Sequence, residues 1–531
     1  MLTTEVNMKV PAGIWRTILP IAASVACQGG ATTAIDPTDE PPDDTATAVA
    51  PFDSGRLVAF VSVTASDTYE LWIADASSGE RRSVTGPLPE GSYVGRFGWS
   101  PPTTAGVRRL AYTLYSADPD GTGVYVTLDD ASGATRVSGP VVDDELELFD
   151  SVWSADGAHV AYEGMQNGDD ERQLYLAPVD GSGPVRVSHC TSGRPDFATW
   201  APVGDWFAYG CPEDVDRAID IYAVRAGGQD HTRVTQAGPD DDWLGPRWAP
   251  DGNALAVSLR REGRVRPYVY GMAEGTTLLR PEDLGYDSGH TIRELMWSPT
   301  GSHLAVLDEA LGGLEGRTLR TVDVATGEIH PVSNPGSDPT PGLLRVDFAP
   351  DGGHIVYHSD EGGTPNEHRL FAATPTGAQH AALVPASAPL GSGPAHELRD
   401  DKVLYTARFD VEGPHEFVVV GYDGGEPVRV GLEGAPLQRV DARFSPSGQT
   451  LAVLARRDGE VALHLAGPMG EDVVERAVLD ADQLAWTLDG SRIVVWADDG
   501  MVAVDPSTTD PPLRLSPVGA EIEAFIVEGT F

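Results

Sequence analysis

The sequence predicts an all-β chain, a β-propeller built from about ten four-stranded repeat units, and three observations carry that expectation. One short phrase recurs: SVWSADGAHVAY at 151–162, WSPTGSHLAV at 297–306, FAPDGGHIVY at 348–357 and WTLDGSRIVV at 486–495. Its aromatic residue returns at Trp99, Trp153, Trp200, Trp248, Trp297, Phe348, Phe444 and Trp486, at spacings of 54, 47, 48, 49, 51, 96 and 42. Periods of about 40 to 50 residues with Trp and Asp-Gly signals are those of propeller blades. The third observation is composition: 60 Gly and 42 Pro demand frequent turns, 41% hydrophobic residues suffice for a packed interior, and no stretch outside the N-terminal segment shows a sustained helical period.

At the N-terminus, MKVPAGIWRTILPIAASVAC (8–27) opens with Lys9 and Arg16 and continues through a short apolar run from Ile18 to Ala26. Small residues then precede Cys27. That is the grammar of an export signal, and the run is too short to span a bilayer as a permanent helix. The SVAC ending resembles the lipobox of bacterial lipoproteins, in which the cysteine is acylated and becomes the mature N-terminus. The resemblance implies lipidation of Cys27, although Ser24 stands where that family usually has Leu; a plain cleaved signal is the alternative.

Residues 28–51, QGGATTAIDPTDEPPDDTATAVAP, carry no hydrophobic period and read as a flexible Pro/Thr/Asp-rich tether. With Cys27 lipidated, Cys190 and Cys211 remain as an even pair, and an oxidising compartment permits a disulfide between them. Two unpaired buried thiols are the alternative.

Residues 52–531 form the repeat array. Each unit parses into four strands, as in the third: a short strand at Ser151 to Ser154, then HVAYEG, RQLYLAPVD and GPVRVS. Asp-Gly between apolar runs is a hairpin signal, because Gly accepts the positive φ of a tight turn. The long gap after Phe348 holds a degenerate copy around HELRDDKVLYT (396–406). A unit beginning near Gly55 lacks an aromatic anchor strand, and the final IEAFIVEGTF (522–531) is the spare strand that would complete it. Such a closure would remove two open sheet edges. One large ring and two smaller propellers are both compatible with the count.

The aromatic-Ser-Pro-Asp-Gly turn, as at Trp248, Ala249, Pro250, Asp251 and Gly252, is followed by an apolar strand and then by an "Ile-Tyr" strand such as Asp220, Ile221, Tyr222. On these residues the array resembles the WD-like repeats of TolB and of the propeller domains of tricorn-type and prolyl oligopeptidase-type peptidases. The resemblance implies a fold, while such propellers serve many roles. The sialidase-type Asp-box does not fit, because Gly157 directly follows Asp156.

Net charge is -43, from 80 acidic against 37 basic residues, and Lys9 and Lys402 are the only lysines. Such a surface repels phosphate backbones and anionic headgroups, which argues against nucleic acid and confines membrane contact to an N-terminal lipid anchor. The arginine bias reads as GC-rich codon usage or, alternatively, as salt adaptation.

Chemistry is sparse in the sequence. It contains no G-x-S-x-G elbow and no Walker loop. HELRD at 396–400 lacks the second His of a zincin and falls on a predicted strand. No cofactor is expected, calcium being the one metal that the acidic loops GPDDDW (238–243), ADPDGTG (117–123) and VDDELELFD (142–150) leave open. Asp240, Asp241, Asp242 and Trp243 are the expected interaction loop, joining one blade's outer strand to the next blade's inner strand near the central opening.

The functional expectation is an exported, lipid-anchored propeller acting as a protein-binding or scaffolding module in a bacterial cell envelope, in the periplasm or at the cell surface. Its partner would be an envelope protein or peptide. TolB carries an α/β domain before its propeller where this chain has only a tether, which argues against a Tol-system role. The alternatives are a propeller hydrolase or lyase with a central-cavity site, and an acidic, salt-adapted surface protein.

Overall fold

Apolar runs with branched and aromatic residues, separated by Gly-containing turns, commit this chain to strands. The computed structural model describes residues 52–527 apart from connecting segments, the longer of which are 167–170, 213–218, 237–241, 280–289, 311–316, 334–342, 360–368, 385–395 and 410–414. The expected signal peptide and tether lie outside the described residues.

The described strands form ten four-stranded antiparallel sheets and one two-stranded hairpin, Gly431–Leu432 with Ala435–Pro436. Each sheet is a blade, and in blades 2 to 10 the first strand is the innermost: from blade 2 to blade 6 and between blades 9 and 10, successive first strands touch one another. The innermost strands of blades 2 to 10 are Tyr93–Trp99, Val141–Trp153, Asp196–Trp200, Asp242–Trp248, His290–Trp297, Leu343–Phe348, His396–Leu398, Gln438–Phe444 and Ala481–Trp486. Blade 1 takes its innermost strand from the end of the chain: Glu521–Val527 pairs antiparallel with Leu57–Val63, Val58 facing Val527. The spare strand that the sequence predicts closes the first blade.

One ring results. Ten hydrophobic clusters each join two successive blades, from blades 1 and 2 around Trp99 and Leu71 to blades 10 and 1 around Phe60, Val494 and Met501. A second propeller would need a break in that cycle. In Leu57–Val63, Leu57, Ala59 and Val61 pack towards blade 2 while Val58 and Phe60 pack towards blade 10. Both faces are buried, so the run is continuously apolar instead of alternating.

The recurrent phrase builds the turn from the innermost to the second strand. In blade 3, Ser154 Oγ donates to Asp156 Oδ1 at 2.6 Å and accepts from the His159 N–H at 2.9 Å. Gly157 has φ +66°, and a Cβ there would press within 3.2 Å of the Pro101 carbonyl in the preceding blade's turn. A side chain is excluded twice over, by backbone conformation and by the neighbouring blade. In the degenerate eighth unit Leu398 faces Val403 and takes the place of the aromatic residue.

A second recurrent device sits at the rim. The outermost strands are only two to five residues long, too short to offer every ladder acceptor. Hydroxyls of Thr85, Ser138, Ser188, Thr235, Ser333 and Ser516 accept the third-strand N–H groups of Leu71, Val124, Leu174, Ile221, Leu319 and Met501 at 2.8–3.1 Å. Each bond satisfies a donor that burial would otherwise penalise by about 1–3 kcal/mol.

Candidate functional site

Antiparallel order puts the Ser-Asp-Gly turns on one face of the ring, and the connections between successive blades on the other. The connection from blade 4 to blade 5 carries the expected interaction loop. It links the outermost strand Thr232–Arg233 to the innermost strand Asp242–Trp248. Asp240 and Asp241 lie outside the described residues. Asp242 and Trp243 belong to the inner strand itself, facing Arg260 and Leu259 across the ladder, instead of to a loop.

Beside this segment is an open cleft of about 540 Å³ between blades 4 and 5. Arg233, Val234, Thr235 and Gln236 form one wall, on the chain that leads into the loop. Val257, Leu259, Tyr268, Tyr270 and Thr277 form the other. Leu259 is also the ladder partner of Trp243, so the cleft adjoins the inner strand of blade 5. Tyr268 and Tyr270 sit two apart on Arg264–Gly271 and therefore present to the same side of their sheet. Burial raises the Tyr270 phenol, which stays protonated and able to donate.

The charged member of the cleft is held in place. Arg233 Nη2 donates to Asp220 Oδ2, and its Nε donates to the Thr235 carbonyl at 3.1 Å. Thr235 Oγ1 donates to the other oxygen of Asp220 at 2.7 Å. Asp220 is 1% exposed, so the guanidinium is clamped by a buried carboxylate. Two phenols, the Thr277 hydroxyl, the Gln236 amide and a fixed cation beside apolar side chains suit recognition of a polar ligand.

Buried carboxylates elsewhere are similarly committed. Glu163 pairs with Arg172 at 2.7 Å, Glu416 with Arg429 at 2.6 Å, and Asp308 with Arg320. Within the HELRD segment His396–Leu398 form a strand, and Glu397 bridges blades 8 and 9. It pairs with Arg399 at 2.6 Å and accepts the Phe444 N–H at 2.9 Å. Burial pushes its carboxyl up, against the pull of Arg399.

Of the other acidic stretches, 142–150 belongs to the inner strand Val141–Trp153, not to a loop. At 117–123, Asp118 caps a short 3-10 turn by accepting from the Asp120 N–H at 3.2 Å. Among the described residues no three His, Cys, Asp or Glu side chains converge as a metal site. Cys27 lies outside the described residues. Cys190 and Cys211 are joined by a disulfide with Cα atoms 5.5 Å apart, fastening the connection after blade 3 to the second strand of blade 4. Sequence reasoning missed Arg233, Gln236, Tyr268 and Tyr270, which are near one another only once two blades pack.

No protein-family model and no curated protein matches the sequence. Solved structures do. A prolyl endopeptidase matches at 17% identity over 70% of this chain, with TM-score 0.38, and the chain spans 54% of that protein's length. A eukaryotic initiation factor matches at 12% identity over 88% of this chain and 96% of its own, with TM-score 0.49. TolB from Acinetobacter baumannii matches at 15% identity over 60% and 79%, with TM-score 0.26. No residue correspondence follows at these values, and the fold assignment rests on the strand pairing above.

Proposed function

We propose that the chain is a binding module exported to a bacterial cell envelope and held there by a lipid on Cys27. In this reading the closed ring is a rigid frame. Its blade-to-blade connections, with the Asp240 to Trp243 segment and the adjoining cleft, receive an envelope protein or peptide. The observation that carries it is the cleft between blades 4 and 5, lined by a clamped Arg233 and by Tyr268 and Tyr270. The Cys190–Cys211 disulfide supports an oxidising compartment. Commitment of the buried carboxylates to arginines and backbone N–H groups supports a structural use of the interior charges over a catalytic one.

The test is chemical crosslinking in native membranes followed by mass spectrometry, together with the intact mass of the purified protein. Recovery of an envelope protein through the blade 4–5 face, lost in Tyr268→Ala/Tyr270→Ala, supports the reading. An N-terminus cleaved away from Cys27 without lipid contradicts the anchor, and an undiminished crosslink in the double variant contradicts the site.

A further inference from the structure

On the connection-bearing face, at the seam where the closing strand meets blade 2, three tyrosines converge from three strands of two blades. Tyr69 opens the third strand of blade 1, Tyr93 opens the innermost strand of blade 2, and Tyr115 ends that blade's second strand. Tyr93 and Tyr115 are ladder partners with rings stacked at 4.7 Å, and Tyr115 donates its hydroxyl to the Leu146 carbonyl of blade 3. The Tyr69 ring is tilted 57° to that of Tyr93 at 6.3 Å, so the two make an angled corner. Tyr93 is 43% exposed, among the most open large side chains described.

The corner is edged by carboxylates. Val63 pairs with both Tyr69 and Glu521, which places the phenol and that carboxylate in one row across blade 1. Glu523 follows in the bulge of the same inner strand. Neither glutamate forms an ion pair among the described residues. Burial and then the Glu521 charge raise the Glu523 carboxyl, while burial and then Glu523, Asp67, Tyr93 and Glu521 raise the Tyr69 phenol. The local field is negative, the setting in which a cation is stabilised over an aromatic face.

We propose that the Tyr69–Tyr93 corner with Glu521 and Glu523 is a docking site for an arginine side chain of a partner polypeptide. A planar guanidinium stacks on tyrosine while donating sideways to carboxylates, which a hydrated metal ion cannot do. The protein uses the same chemistry internally, with Arg82 at 3.9 Å from the Phe52 ring centre and Arg225 at 4.3 Å from that of Trp206. The inference deepens the binding-module reading but uses a different part of the ring from the blade 4–5 cleft.

The experiment titrates the purified protein with acetyl-Gly-Arg-Gly-amide and with its neutral citrulline counterpart at physiological ionic strength, by calorimetry. The expected result is saturable binding of the arginine peptide alone. Tyr93→Ala should weaken it by about two- to fivefold. Glu523→Gln should weaken it by a similar factor, and the remote control Asp510→Asn should leave it unchanged. Equal binding of the citrulline peptide, or equal weakening by all three substitutions, overturns the site in favour of diffuse attraction to an acidic surface. Binding of neither peptide also overturns it, and the crosslinking result at blades 4 and 5 then stands or falls separately.

Discussion

The indole N–H of Trp297 donates to the backbone carbonyl of Arg247 at 3.0 Å, and Arg247 immediately precedes the aromatic anchor of the preceding blade. The same relation joins Trp153 to Gly98, Trp248 to Thr199 and Trp486 to Arg443. It even crosses the closure, from Trp99 to Ile526 of the final strand. The recurrent phrase is thus a clasp between blades as well as a turn.

Trp297→Phe keeps most of the buried ring but leaves the Arg247 carbonyl without its donor, at a cost of about 1–3 kcal/mol. Trp200→Phe should cost less, because the buried Trp200 Nε1 finds no acceptor among the described residues. Urea midpoints of the two variants decide; equal losses would contradict the clasp.

Legibility followed locality. Aromatic anchors, Asp-Gly turns and the spare C-terminal strand are contiguous signals, and each appears in the structure where its residues place it. The ring size was not legible, since it depends on how ten blade interfaces add up around an axis. Val141–Trp153 reads as an acidic loop because Asp143, Asp144, Glu145 and Glu147 mask its strand alternation. The tyrosine corner draws on residues from 69 to 523 and has no local signature at all.

Deleting residues 521–531 removes the ladder partner of Leu57–Val63 and the cluster contacts of Ile522 and Val527. An open inner edge pairs with other chains. Size-exclusion chromatography should show oligomers, and urea unfolding should lose its single steep transition.

The Asp489 carboxylate ties blade 10 to the start of blade 1, accepting from Arg56 Nε at 2.6 Å. Burial raises this carboxyl, but hydrogen bonds from Arg56, Ser491 and Thr487 outweigh burial and hold it at about 2. Its contribution is complete above the ordinary value of 3.8 and fades as pH falls through about 2. Asp489→Asn should therefore destabilise the protein at neutral pH, with the gap to wild type closing in strong acid. A constant gap in thermal melts across that range would contradict the assignment.

Replacing both Cys190 and Cys211 by Ser frees a loop of 21 residues. The expected loss is about 3 kcal/mol, read from denaturant unfolding against the oxidised protein. An unchanged midpoint would show that the bond constrains nothing.

A net charge of -43 also predicts a melting temperature that rises with added sodium chloride, as screening relieves self-repulsion. A flat or falling dependence would remove the salt-adapted alternative.

Face-on class averages from electron microscopy of the purified protein test the single closed ring most directly. Ten blades around one axis are the expected image. Two smaller rings, or an open arc with a gap between the first and last blades, would contradict it.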